Sequence, residues 1–185
     1  MDLSLNLLNP EMHMVGPIFH FRIPKQGPLT DLILGCDLEI TSVEEVRQAQ
    51  TLFEGSLIAQ DADCDLEDDF QVFEFKIGTR LAEAIGLLIV SRHIPCEPAH
   101  LFGWESYYRR FRRHLSWDMP APYPMPFVGS PGKAKDGVEY VPFVEDQGHG
   151  RHRFGIEPFA PRLPYVPESE SYYLLARRLG GRRNR

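Results

Sequence analysis

Ser42-Val43-Glu44-Glu45-Val46-Arg47-Gln48-Ala49-Gln50-Thr51-Leu52-Phe53-Glu54-Gly55 reads as a helix with its start and stop written into it. Ser42 and Glu45 stand in capping-box register, where the hydroxyl oxygen and the carboxylate each serve an amide that the first turn leaves unbonded. Val43, Val46, Ala49, Leu52 and Phe53 recur at helical spacing and form the expected inward face. Gly55 stands where a C′ glycine ends such a helix. On the N-terminal side, Leu34, Cys36, Leu38 and Ile40 alternate with Gly35, Asp37 and Glu39, the pattern of a half-buried strand. On the C-terminal side, Phe70 to Ile77 is rich in aromatic and β-branched residues and reads as another strand, with Leu57-Ile58-Ala59 a shorter one between. A helix set among strands defines the class: α+β, a small mostly antiparallel sheet with two to four helices.

Further out, Pro17 and Pro24 bracket a segment in which Phe19, Phe21 and Ile23 share one face. With a turn at Gln26-Gly27-Pro28, this segment and the Leu34–Ile40 strand suggest a hairpin. Leu3, Leu5 and Leu7 alternate as a short strand would. Thr79 to Val90 fits a buried helix, although Gly86 weakens it and Leu87 to Val90 also suits a strand. Pro98 opens a second well-patterned helix. Leu101, Trp104, Tyr108, Phe111 and Leu115 draw one apolar stripe along it, and Glu105 precedes Arg109 in the favoured order for a helical ion pair.

Beyond residue 117 the pattern disappears. Ten of the 16 prolines lie between Pro120 and Pro167, so this part of the chain is expected to be a long, irregular, Pro-rich segment. Its apolar content (Tyr123, Met125, Phe127, Tyr140, Phe143, Phe154, Phe159) favours wrapping the core over disorder, with one strand at Val138 to Val144. Ser171 to Leu179 is helix or strand. The expected organisation is an α+β core over 1–117, a Pro-rich wrapping segment of the same domain over 118–167, and a terminal element with a basic tail over 168–185.

Composition narrows the function. A net charge of −6 over 185 residues argues against a general nucleic-acid binder. Three cysteines (Cys36, Cys64, Cys96) without a CxxC pair suit reduced thiols better than a disulfide scaffold. No apolar run approaches the ~20 residues of a membrane span, and the first residues lack the features of a signal peptide. A cytoplasmic protein with no membrane contact is expected.

Two charged clusters stand out. Asp61, Asp63, Asp65, Glu67, Asp68 and Asp69 place six carboxylates within nine residues. The first three fit a calcium loop, but Leu66 and Val72 occupy the positions that need glycine and glutamate. The turn is then either a solvated loop or a docking surface for a basic partner. Arg109, Arg110, Arg112 and Arg113, with His114 beside them, are expected on the solvent side of the aromatic helix. There they would pair within the chain or meet a partner protein; an RNA contact with Tyr107 stacking on a base is the lesser alternative.

Two histidine clusters carry the enzyme-like alternatives. His93-x-x-Cys96-x-x-x-His100 has zinc-type ligands, but no fourth ligand is indicated, and no cofactor is expected unless zinc binds there. Gly148-His149-Gly150-Arg151-His152-Arg153 combines backbone access, cations and possible proton carriers, yet has neither P-loop nor GxGxxG spacing. Ser130 is followed by proline and does not fit a GxSxG elbow.

Glu170-Ser171-Tyr172-Tyr173-Leu174-Leu175-Ala176-Arg177-Arg178-Leu179-Gly180-Gly181 resembles the last strand and diglycine tail of ubiquitin-like modifiers. That resemblance implies adenylation and conjugation of Gly181 once Arg182 to Arg185 are removed. It covers twelve of the 185 residues and stands as an outside alternative. The favoured expectation is a non-catalytic interaction protein, either an immunity- or antitoxin-like inhibitor or an assembly subunit. It would bind another protein through charged surfaces and is open to homo-oligomerisation; a zinc-dependent or histidine-based enzyme is the alternative.

Overall fold

The computed structural model describes residues 12–21, 23, 27–58, 69–76, 79–111, 123–159 and 171–179. Along the chain run β1 (Met12–Phe19), α1 (Leu29–Gly35), β2 (Glu39–Ile40), α2 (Val43–Ile58), β3 (Phe70–Lys76), α3 (Leu81–Val90), β4 (His93–Pro95), α4 (Pro98–Phe111), β5 (Met125–Pro126), β6 (Gly132–Lys133), β7 (Glu139–Asp146), β8 (His152–Pro158) and β9 (Ser171–Arg178). The fold is α+β.

The first sheet has the order β1-β3-β9-β4, with every neighbour antiparallel. Its central strands β3 and β9 are buried along most of their length because both faces are covered. Phe70 and Val72 point with Tyr173 and Leu175 into one core, which α2 and α4 complete. Phe73 and Phe75 point with Tyr172, Leu174 and Ala176 into the other, where Leu81, Ala84 and Leu88 of α3 pack. Alternation along β3 therefore divides the interior in two.

The second sheet has the order β2-β8-β7-β5, with β6 also on β7; β2 and β8 pair in parallel. The stretch expected to hold one strand, at Val138 to Val144, thus carries four, with β7 at the expected place. Three of its prolines sit where an extended chain tolerates them: Pro126 and Pro158 close their strands, and the Pro142 carbonyl accepts a bond from the Phe127 amide at 2.9 Å. Two backbone bonds tie this part of the chain to the first sheet, Tyr173 N to Pro124 O (3.1 Å) and Gly129 N to Cys96 O (3.0 Å).

Helix α2 begins as expected, with the Ser42 hydroxyl accepting the Glu45 amide at 3.1 Å. The Glu45 carboxylate goes elsewhere. Its Oε1 accepts the Ile156 amide at 3.1 Å and so joins α2 to β8. Val46, Ala49 and Phe53 face inward, whereas Val43 is 63% exposed. The helix runs past Gly55 to Ile58, so Leu57 and Ile58 are helical and not a strand.

The expected hairpin does not form among the described residues, where β1 pairs with β3. Residues 29–35 are helical, with Leu29 and Ile33 buried one turn apart and the Leu29 amide capped by Gln50 Oε1 at 2.7 Å. Cys36 and Leu38 are buried through a turn in which Asp37 takes a positive φ of 52°. Alternation there came from a turn flanking a short helix. Residues 81–90 are helix throughout, residues 171–178 are strand, and α4 follows its apolar stripe through Leu101, Trp104 and Tyr108. The Leu3–Leu7 alternation, Leu115 and Gly180-Gly181 lie outside the described residues.

Candidate functional site

The two arginines described on α4 have different surroundings. Arg109 turns into the chain. Its guanidinium donates to Asp37 Oδ2 at 2.9 Å and to the Asp37 carbonyl at 2.7 Å, while its Nε stands 3.7 Å from Glu105 Oε2. Arg110 is exposed, lies over the Phe111 ring at 5.4 Å, and has no ion pair among the described residues. Arg112, Arg113 and His114 fall outside the described residues. So do Asp61, Asp63, Asp65, Glu67 and Asp68 of the acidic turn. Asp69 is described and faces His20 Nδ1 at 3.5 Å.

Glu105 makes the ion pair with Arg109 that its spacing predicts, at 3.7 Å, yet its own side chain is fully buried. An ionised carboxylate in a core requires compensation. Glu105 receives it from two distant segments: Tyr123 donates its hydroxyl to Oε1 at 2.5 Å, and His152 Nδ1 bonds Oε2 at 2.8 Å. The Arg109 guanidinium supplies the nearest positive charge. The Tyr123 and Tyr108 rings flank the imidazole at 4.5 and 5.6 Å. Burial, then the Glu105 charge, pushes the Tyr123 hydroxyl well above the usual phenolic range and keeps it a donor.

These three groups have the types of a proton relay, but His152 is only 2% exposed and is packed between rings. Their arrangement joins α4 to β8 and to the segment before β5. A signal for this was present in the sequence: Glu105 lies one turn after Leu101 on the apolar stripe, where a carboxylate needs buried partners.

The glycine-histidine hexapeptide is divided in the fold. Gly148, His149 and Gly150 take positive φ values of 78°, 55° and 74° and turn β7 into β8. His149 is exposed at that tip, while His152 enters the core. His93, Cys96 and His100 do not converge either. His93 packs on Phe73 at 4.8 Å and His100 on Phe70 at 5.5 Å, rings that belong to opposite faces of β3. Cys96 is buried, and the Glu97 amide donates to His100 Nδ1 at 3.1 Å. Burial also disfavours protonation of His93. Among the described residues, no three histidine, cysteine, aspartate or glutamate side chains are placed to hold a metal ion.

A groove of about 370 Å³ runs along α4. Gly103, Ser106, Tyr107 and Arg110 recur at helical spacing on one wall, with Phe111 at the end. His20 and Phe21, just beyond β1, form the opposite wall. Phe21 is fixed there by stacking on Phe70 at 4.0 Å, and Tyr107 by edge contact with Phe19 at 5.9 Å. Aromatic contacts to the core therefore hold both walls.

No family model, no curated protein and no solved structure matches this chain. Among the described residues, no helix is long and apolar enough to cross a membrane.

Proposed function

We propose that this chain is a non-catalytic interaction protein acting in the cytoplasm, an inhibitor of the immunity or antitoxin kind or an assembly subunit. It meets its partner protein through the outward face of α4. The supporting observation is the contrast between neighbouring arginines: Arg109 is bound to Asp37 inside the chain, whereas Arg110 and Phe111 are presented to solvent beside a groove. An arginine next to an exposed ring combines charge steering with apolar contact, the combination enriched at binding hot spots. Among the described residues the buried Cys36 and Cys96 form no disulfide, which suits a reducing compartment.

A photo-crosslinking residue placed at Phe111, in cells of the source organism, tests the reading. The expected result is an adduct with one defined polypeptide. A crosslinker at Lys135, in the exposed turn before β7, should not form that adduct. No adduct from the α4 position, or the same adducts from both positions, would refute the reading.

A further inference from the structure

The groove along α4 has more chemical definition than an exposed helix face. Its apolar surface comes from Phe21 and Tyr107, which the core holds on one side, and from Phe111, whose ring lies 4.8 Å from that of Tyr107. Pockets that take ligand groups typically enclose ~300–1,000 Å³. At about 370 Å³ this groove has room for one large side chain and its immediate neighbours.

Charge selects among visitors. His20 at one end faces Asp69 at 3.5 Å, so those two groups partly satisfy each other. Arg109, adjacent in sequence, is taken up by Asp37 and Glu105. The Arg110 guanidinium lines the groove without a carboxylate among the described residues. A basic visitor would be repelled there, and a neutral one would leave that cation facing it unpaired.

Resting on the partner-protein reading above, we propose that the groove receives an aromatic side chain of the partner with a carboxylate beside it. The ring lies against Phe21, Tyr107 and Phe111, and the carboxylate meets the Arg110 guanidinium, whose planar fork suits a two-point contact. Cation and ring then recognise one short acidic-aromatic segment together.

The test pans a random-sequence peptide library on phage against the full chain. Selected peptides are then measured by fluorescence anisotropy against the parent, Arg110→Glu and Phe111→Ser. Both positions are exposed, and circular dichroism melts verify that the variants fold. The selected sequences should share an aromatic residue next to Asp or Glu, and each variant should weaken binding about tenfold or more. A consensus without the acid or the ring, an empty selection, or equal binding to parent and variants would overturn the groove assignment. Since the crosslink from Phe111 is read without any peptide, the groove assignment can fail while the partner reading stands.

Discussion

His152 Nδ1 and Glu105 Oε2 meet at 2.8 Å in the core, although 47 positions separate them in the chain. Glu105 comes from α4 and His152 from the first residue of β8, so their bond spans the joint between a helix on the first sheet and a strand of the second. Tyr123 closes the same carboxylate from a third segment. These contacts make the centre a stability element.

Removing either partner of Glu105 should destabilise the fold measurably. Tyr123→Phe leaves Oε1 without its donor and should cost about 1–3 kcal/mol. His152→Leu removes the other hydrogen bond from the same buried carboxylate and should cost about 1–3 kcal/mol. Urea midpoints at constant m-value read both costs. A His152→Leu chain as stable as the parent would mean the pair is not formed.

The neighbouring arginines should separate stability from binding. Arg109→Ala removes the contacts to Asp37 and the charge nearest Glu105, at a cost of about 1–3 kcal/mol. Arg110→Ala should change stability by no more than about 0.5 kcal/mol, as exposed substitutions generally do, while abolishing the Phe111 crosslink. Thermal melts and crosslink yield, measured on both variants, should move in opposite patterns.

Glu157 should make the fold less stable as pH rises. Burial raises its carboxyl from 4.5 to about 7, the Glu145 charge adds to this, and Arg153 opposes it. Between pH 4.5 and 7 the folded chain therefore holds a proton that the unfolded chain has released. The stability contribution of this group is full below that window and is lost as pH rises through it. Glu157→Gln should match the parent near pH 4.5 and exceed it at pH 8 by about 1–3 kcal/mol. Urea unfolding of both chains across this range checks the sign.

Two glycine-to-alanine substitutions should act in opposite directions. A Cβ at Gly129 would stand 2.5 Å from the Pro95 carbonyl oxygen and 2.9 Å from that of Cys96, so backbone has to move. Gly129→Ala should cost about 1–3 kcal/mol. A Cβ at Gly86, inside α3, meets nothing within 4 Å. Gly86→Ala should stabilise by about 0.5–1 kcal/mol. Melting temperatures of the two variants on opposite sides of the parent would satisfy both expectations.

Local chemistry was legible where one element decides its own form. The Ser42 cap, the inward Val46, Ala49 and Phe53, the apolar stripe of α4 and the aromatic run of β3 all follow from spacing along a single segment. Readings failed where a segment borrows its partners. Leu34 to Ile40 shows a strand's alternation, but it starts inside a helix over 29–35 whose amide end Gln50 caps, and the Asp37 turn buries Cys36 and Leu38. Between residues 125 and 158 only the strand at Val138 to Val144 was legible; β5 and β6 are two residues each and take their form from pairing with β7.

The sequence by itself determined the α+β class, the helices at α2 and α4 and the aromatic supply for a core, because these depend on short-range periodicity and capping. Only the tertiary structure decided what the polar residues do. It buried Glu105 with His152 and Tyr123, sent His93 and His100 to opposite faces of a strand, and left Arg110 outside while Arg109 turned in. The physical reason is that a charged or hydrogen-bonding group is assigned by what surrounds it in three dimensions, and spacing along one element leaves most of those neighbours unspecified.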